Sequence, residues 1–300
     1  MLRRGVTFFV EQVRMPGFPI VDSHVHLWDP GRLPLRWGEK APSINVPHLI
    51  PDYDAALGGI EVAAMVFLEC DVEAGRHLEE VAMISEIAAG EPRLQAIVAH
   101  APLEKGEAVA EDLEALARFP LIRGIRRILQ DEPDIQAVLD DDFIAGLNLL
   151  PRNNLHFEIC IYHHQLGAIV DLVRRLPNVT FMLDHIGKPP IAARGLDPWR
   201  TRIAELAALP NLMCKLSGLL TEADRANWQP QDFRPYIDHV VDTFGFDRLV
   251  FGSDWPVLTL AGGLPQWVDI LDEALSGASD DELRYFWVEN AQAFYRLGES

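Results

Sequence analysis

The chain has 300 residues, and its 45 acidic and 26 basic side chains give a formal net charge of −19 at pH 7. This balance argues against nucleic acid or an anionic membrane surface as a partner, because both attract clustered lysine and arginine. The hydrophobic fraction of 49% is typical of a folded globular chain, and no apolar run approaches the roughly 20 residues that span a bilayer.

The chain begins with what we predict to be a short extension over residues 1–18, followed by one folded domain over residues 19–300. Residues 6–10 are apolar, but this stretch is too short for the core of a signal peptide. Met15 is an alternative start to Met1. A cytoplasmic location is expected because the three cysteines are far apart and form no paired motif; they are Cys70, Cys160 and Cys214.

Eight apolar runs of strand length follow one another along the domain. They are nearly continuous rather than alternating, which is typical of parallel strands buried on both faces. Helical spacing of apolar residues lies between them, most clearly over residues 78–89, 107–119 and 165–175. The eight predicted strands are residues 19–26, 62–69, 94–100, 121–128, 155–161, 179–185, 212–217 and 248–254.

This alternation predicts an α/β fold, a single-domain (β/α)8 barrel of about 250 residues. A doubly wound sheet is the alternative, but it favours a glycine-rich phosphate loop after the first strand. The first strand here ends in Asp-Ser-His-Val-His instead. The barrel interpretation directs attention to the carboxyl ends of the strands, where barrels of this kind carry their chemistry.

The first strand ends with His24 and His26, which share one face because side chains alternate along a strand. Two imidazoles on one face can bind a metal ion or hold a polarised substrate oxygen. A hydrogen-bonded pair of histidines without chemistry is the alternative.

Two later strands also end with candidate residues. Asp254 would stand at the barrel mouth, where a carboxylate can ligate a metal or take a proton from water. Its alternative role is to cap the turn that follows. His185 would lie at the same mouth, as a ligand, as a group that polarises a carbonyl, or as a structural histidine. Asp184 is expected to orient a neighbour or to pair with Lys188.

Strands two and four contribute weaker candidates. Glu69 follows the second strand, and Arg126 lies in the fourth, where an arginine suits a carboxylate or polyol oxygen. A surface salt bridge is the alternative for Arg126. His163 and His164 are adjacent and would point apart, so they give only a weak signal.

Three motifs stand in order and at barrel spacing: Val-Asp-Ser-His-Val-His, Asp-His-Ile-Gly-Lys-Pro and Gly-Ser-Asp-Trp-Pro. Together they resemble the amidohydrolase superfamily, in its amidohydrolase 2 branch. More closely they resemble the sugar-lactonase group, which contains L-fuconolactonase- and L-rhamnonolactonase-like hydrolases. The resemblance extends from about Ile20 to the end of the chain and implies a hydrolase of carbohydrate metabolism.

The resemblance implies that four residues are catalytic: His24, His26, His185 and Asp254. Metal-dependent members also use a histidine at the end of strand five, where this chain has Glu158, Cys160 and Tyr162. Unless His163 or Glu69 substitutes, that ligand is missing. Two alternatives therefore stay open: one divalent ion, zinc, held by His24, His26 and Asp254, or catalysis without a metal.

The reaction that the resemblance implies is hydrolysis of a small sugar lactone by general-base attack of water. Asp254 would take the proton from water, and a histidine or Arg126 would polarise the carbonyl. Arg126 and Glu69 would bind the substrate, with Trp28 and Trp255 as an apolar wall. A metal-dependent decarboxylase, or a hydrolase of another cyclic ester or amide, is the alternative. Whether the protein forms a homo-oligomer stays open.

Overall fold

The computed structural model describes residues 16–298 and contains one eight-stranded parallel sheet, with the strands hydrogen-bonded in chain order from first to last. All eight predicted strands are confirmed, with ends shifted by a few residues. The strands are β1 Ile20–Val25, β2 Val62–Leu68, β3 Leu94–His100, β4 Ile122–Arg126, β5 His156–Ile159, β6 Phe181–Leu183, β7 Leu212–Leu216 and β8 Leu249–Phe251.

The sheet is nearly closed into a barrel at the carboxyl ends of β1 and β8. There the Asp254 N–H donates to the His24 carbonyl at 2.9 Å, and the His26 N–H donates to the Trp255 carbonyl at 2.8 Å. The predicted (β/α)8 barrel is confirmed. Closure brings the first and last motifs of the sequence side by side.

Helices connect the strands and cover the outside of the barrel. The predicted helix over residues 107–119 is shorter than expected: the α-helix covers Ala110–Leu116, and residues 107–109 belong to a 3₁₀ segment that is interrupted at Gly106, where φ is 63°. The helices are α1 Ile50–Ala56, α2 His77–Ala88, α3 Ala110–Leu116, α4 Asp141–Asn148, α5 Leu166–Arg175, α6 Trp199–Ala207, α7 Pro230–Phe244, α8 Leu264–Ala274, α9 Asp280–Arg284 and α10 Asn290–Tyr295.

The apolar core has two layers. The larger layer lies between the sheet and the helices, and the smaller one fills the barrel interior with residues such as Val66 and Val98. Helix α10 contributes Ala291 and Tyr295 to this interior layer. The barrel is therefore a packed core, and only its carboxyl end is open to chemistry.

The described residues limit what can be said of the N-terminal extension, the alternative start and membrane-spanning helices. Residues 1–15, which include the alternative start Met15, lie outside the described residues, so the division at residue 18 stays a prediction. Phe18 packs against the core, and the Arg284 guanidinium lies 5.1 Å from the centroid of its ring. Within residues 16–298, no helix has the length and hydrophobicity to cross a membrane.

Candidate active site

Four side chains from three strand ends converge on one point at the barrel mouth. The Nε2 atoms of His24 and His26 lie 3.2 Å apart. Asp254 Oδ1 lies 3.5 Å from His24 Nε2 and 3.6 Å from His26 Nε2. It also lies 3.8 Å from His185 Nε2. The structure thus places three of the residues expected to be catalytic, the histidines, around a carboxylate oxygen of the fourth, Asp254.

The backbone at two of these residues is in the left-handed region. Asp254 has φ 61° and His185 has φ 53°, a conformation that costs free energy for residues with a side chain. Gly218 faces both side chains, and a Cβ atom there would lie 2.4 Å from His185 Nδ1. The second position after β7 therefore has to be glycine for the His185 ring to lie beside Asp254.

Asp22 joins the first and last strands beneath the site. Its Oδ1 accepts hydrogen bonds from the backbone N–H groups of Ser253 at 2.8 Å and His24 at 3.2 Å, and its Oδ2 accepts from the Tyr53 hydroxyl at 2.9 Å. These bonds fix the backbone on either side of His24 and Asp254. The aspartate of Val-Asp-Ser-His is therefore a positioning residue.

The hydrogen bonds of the His24 and His26 imidazoles fix the tautomer of His26 and are compatible with both tautomers of His24. His26 Nδ1 lies 2.9 Å from the Leu68 carbonyl, which only accepts, so Nδ1 carries the proton and Nε2 has a free lone pair. His24 Nδ1 lies 3.2 Å from Lys215 Nζ and 3.5 Å from Asp184 Oδ1. Because one neighbour donates and the other accepts, both neutral tautomers of His24 have a partner.

A buried ionic network surrounds the inner side of His24. Lys215 Nζ lies 2.7 Å from Glu158 Oε2 and 3.1 Å from Asp184 Oδ1. The Tyr295 hydroxyl donates to Glu158 Oε1 at 2.6 Å, which connects α10 to the network. Of the two roles expected for Asp184, the pair with Lys188 is wrong, because Asp184 turns into the barrel and pairs with Lys215 and Arg126. The other role, to orient a neighbour, agrees with its position 3.5 Å from His24 Nδ1.

Arg126 is buried, so the surface salt bridge that was its alternative is wrong. Its Nε donates to Glu69 Oε1 at 2.8 Å, its Nη2 to the Glu69 carbonyl at 2.5 Å, and its Nη1 to Asp184 Oδ2 at 3.2 Å. Burial by itself would lower the pKa of Arg126, but Glu69 and Asp184 outweigh it and hold the pKa well above its ordinary value. Arg126 and Glu69 both line the cavity while binding each other.

The pKa shifts leave the site with an ionised Asp254 carboxylate beside the neutral imidazoles of His24 and His185. Burial by itself would raise the pKa of Asp254, but the imidazoles of His185 and His26 hold it below the ordinary value. Burial lowers the pKa of His185 to about 4 against the opposing effect of Asp254. Burial and Lys215 hold the pKa of His24 well below its usual range. At pH 7, Asp254 can accept a proton.

A cavity of 170 Å³ opens above these residues. Its apolar wall comes mainly from the segments after β1 and β8, and its polar edge comes from Gln130, Lys188 and Thr221. Trp28 lines the cavity, but Trp255 does not. Trp255 is buried edge-on against His48 and Tyr53 instead. The apolar wall contains Trp28, Trp37, Ala41, Ile44, Val257 and Leu260.

Four residues of the site had no role predicted from the sequence. Lys215 and Glu158 are charged residues inside apolar runs, and each occupies an interior position of its strand; this placement was the signal that could have identified them. Ser217 directly follows the end of β7, and its hydroxyl lies 2.8 Å from His185 Nδ1. Tyr295 gave no signal, because nothing local marks a tyrosine that reaches the barrel interior.

The residues present fit one divalent ion. His24, His26 and Asp254 offer ligand atoms that all lie within 4.8 Å of one another. Two ligands on a tetrahedral zinc ion lie about 3.3 Å apart, close to the observed separations, and the His26 tautomer leaves Nε2 free to ligate. Neither Glu69 nor His163 belongs to the ligand groups found within residues 16–298, so neither replaces the strand-five ligand.

The fold and this constellation define a barrel hydrolase of the amidohydrolase type, and comparison with known proteins agrees. The chain belongs to the amidohydrolase family Amidohydro_2, which matches residues 21–297. This confirms the resemblance of the three sequence motifs.

The chain is similar to individual members of this family over nearly its whole length. It is 34% identical to L-fucono-1,5-lactonase of Burkholderia multivorans over 293 residues, which are 93% of this chain and 96% of the relative. It is 23% identical to L-rhamnono-gamma-lactonase of Scheffersomyces stipitis, across 94% of this chain and 100% of the relative. A crystal structure of a Burkholderia multivorans amidohydrolase with bound zinc superposes with a TM-score of 0.84 at 31% identity, covering 93% of this chain and 100% of that one.

Proposed function

We propose that this protein hydrolyses a sugar lactone, an aldonolactone of the kind opened by L-fuconolactonase-like enzymes, to the aldonic acid. The observation that carries the proposal is the Asp254 carboxylate, 3.5 to 3.8 Å from three imidazole nitrogens at the base of the cavity. The two lactonases to which the chain is similar support a lactone over the alternative of a metal-dependent decarboxylase.

The reaction begins with a water molecule beside Asp254. The carboxylate takes one proton as the water oxygen bonds to the lactone carbonyl carbon, and the carbonyl becomes a tetrahedral oxyanion. The ring C–O bond then breaks, and Asp254 returns the proton to the departing alkoxide. The net change is the addition of one water, and Asp254 ends the cycle ionised.

The imidazoles and buried cations prepare the site for this charge. His185 is neutral at pH 7, and Ser217 holds its Nδ1, so its Nε2 faces the space above Asp254. We assign His185 to the carbonyl oxygen, which gains charge as the water adds. Arg126 and Lys215 lie close to His24 and provide fixed positive charge in buried surroundings.

We propose that zinc is the ion that His24, His26 and Asp254 accept. A bound zinc ion would supply Lewis acidity to a carbonyl and would lower the pKa of a bound water. Arg126 and Lys215 oppose its binding by charge repulsion, since they lie 3.3 and 3.2 Å from the two His24 nitrogens. Metal analysis of the purified protein identifies the ion, and a metal other than zinc would contradict this part.

We also propose a cytoplasmic location, supported by the three cysteines, which are buried and unpaired. Cell fractionation tests this, and recovery in a secreted or periplasmic fraction would contradict it.

A panel of aldonolactones with a pH indicator tests the function. Wild type should release acid from at least one lactone. Asp254→Asn keeps the size of the side chain but removes the base, so we expect kcat to fall by about 100-fold or more. Asp280→Asn, an exposed change on α9, is the matched control and should leave the rate unchanged. Acid release by Asp254→Asn at the wild-type rate would overturn the proposed role of this carboxylate.

A further inference from the structure

Two cationic side chains line the cavity beside the histidines, and they differ in how many donors the protein uses. Three of the five N–H groups of Arg126 donate to Glu69 and Asp184. Lys188 has three N–H groups, and within residues 16–298 its one hydrogen-bond acceptor is Gln130 Oε1. Lys188 is therefore the cation that keeps donors for a ligand, whereas two carboxylates neutralise Arg126.

The surroundings of Lys188 hold its ammonium group in place. Its Nζ lies over the Tyr162 ring, 5.1 Å from the centroid, and the backbone carbonyl of Lys188 accepts from His163 Nδ1 at 3.0 Å. Gln165 joins the segments that bear its two partners, because its Nε2 donates to Leu129 O at 2.9 Å and its Oε1 accepts from Tyr162 N at 2.8 Å. A donor fixed in this way before the substrate arrives is preorganised for binding.

Gln130 extends the same polar edge. Its amide oxygen accepts from Lys188 and faces Cys160 Sγ at 3.7 Å, which leaves the amide N–H groups as donors. In barrel order, β4 and β6 each lie three strands from β1, and the segment after β1 supplies Trp28 and Ile44 of the apolar wall. A ligand that matches this cavity has one apolar edge and one edge rich in hydroxyl oxygens.

We propose that Lys188, held by Gln130, is a specificity-determining residue that donates a hydrogen bond to a ring hydroxyl of the sugar lactone. This proposal rests on the proposed lactonase function and concerns the part of the substrate that does not react. Lys188 selects a hydroxylated ring over a plain cyclic ester, because only the hydroxylated ring has a hydrogen-bond acceptor outside its ester group.

Two lactones with the same six-membered ring test the proposal: the hydroxylated 1,5-lactone that wild type opens fastest, and δ-valerolactone, which has no hydroxyls. The variant Lys188→Met keeps the length of the side chain and removes the donors. We expect kcat/KM for the hydroxylated lactone to fall about 10- to 100-fold, mainly through KM, as for a lost hydrogen bond to a charged group. For δ-valerolactone it should stay within about 3-fold of wild type.

Three comparisons complete the test. Lys188→Arg keeps a charged donor and should recover part of the loss, and Gln130→Met should lower kcat/KM in the same selective way. Lys105→Met, at an exposed lysine paired with Asp112, is the matched control and should change neither substrate. If wild type does not turn over δ-valerolactone, its inhibition constant is measured instead and should be equal in wild type and Lys188→Met.

Failure of the proposed lactonase function and failure of the Lys188 proposal give different results. A wild type that opens no lactone rejects the proposed function. The proposal for Lys188 would be overturned if Lys188→Met lowered kcat/KM equally for the two lactones. It would also be overturned if the KM for the hydroxylated lactone and the inhibition constant of δ-valerolactone rose equally. In either case Lys188 would act on the ester group or on folding. An unchanged kcat/KM for the hydroxylated lactone in Lys188→Met would overturn it as well.

Discussion

Single residues at the strand ends could be predicted from the sequence, whereas their partners could not. His24, His26, His185 and Asp254 each end a strand, and parallel strands bring their ends to one edge, so the convergence follows from the pattern. The pairing of Asp184 with Lys215 rather than Lys188 depends on which way one turn after β6 directs its side chains. Local sequence carries no signal for that choice.

Glu80 shows how a buried residue can support the site from a distance. It lies on α2, and its Oε1 accepts from the Cys70 backbone N–H at 2.8 Å, which fixes the segment that bears Glu69. Within residues 16–298, its Oε2 has no hydrogen-bond partner. Burial, and then the negative charge of Glu69, raise the pKa of Glu80 from 4.5 to about 8.

This shift predicts that Glu80 makes stability fall as pH rises. Between pH 4.5 and about 8, the folded protein binds a proton on Glu80 that the unfolded chain has lost, so ionisation favours the unfolded chain. Residue 80 cannot ionise in Glu80→Gln. The Tm of this variant minus the Tm of wild type should therefore increase by about 2 °C or more from pH 5 to pH 8.5. Thermal unfolding followed by circular dichroism measures the difference.

Glu86→Gln is the matched control for this change, because Glu86 lies on the same helix and its side chain is 69% exposed. Its Tm should follow that of wild type at every pH. A constant difference between Glu80→Gln and wild type across this range would show that Glu80 is ionised in the folded protein.

At the scale of elements, the turn after β6 has an unusual backbone. His185, Ile186 and Lys188 all have left-handed φ values, so one turn places an imidazole beside Asp254 and a lysine at the polar edge of the cavity. The sequence predicts a turn at Ile186-Gly187. It could not predict left-handed residues on both sides of the glycine, because tertiary packing imposes them.

Gly218→Ala tests this packing. Its φ is +65°, and the added Cβ would lie 2.4 Å from His185 Nδ1 and 3.0 Å from Asp254 Oδ2, so the histidine must move. A displacement of about 1 Å should lower kcat/KM for the lactone about 100-fold. Lactone hydrolysis by the folded variant, verified by circular dichroism, is the measurement.

Gly167→Ala is the control, since Gly167 lies in α5 and a Cβ there meets nothing within 4 Å. It should keep full activity, because alanine suits a helix better than glycine. Wild-type kcat/KM in Gly218→Ala would contradict the requirement for glycine beside His185.

For the whole molecule, the sequence predicts the architecture because the signal repeats eight times. One apolar run is ambiguous, but eight such runs with helices between them exclude most alternatives. Closure of the barrel then follows from strand order and needs no long-range information. The apolar wall of the cavity could not be predicted from this repeat. Its residues Trp37 and Ile44 lie in the segment after β1, and neither is in regular secondary structure.

The central claim is that water, activated by Asp254, attacks the carbonyl carbon of a lactone. Turnover in water enriched in ¹⁸O, followed by mass spectrometry of the product fragments, tests it most directly. One ¹⁸O atom should enter the carboxylate of each product molecule, at a rate that Asp254→Asn lowers about 100-fold or more. Label in the hydroxyl derived from the ring oxygen, or acid formed without incorporation of label, would contradict the claim.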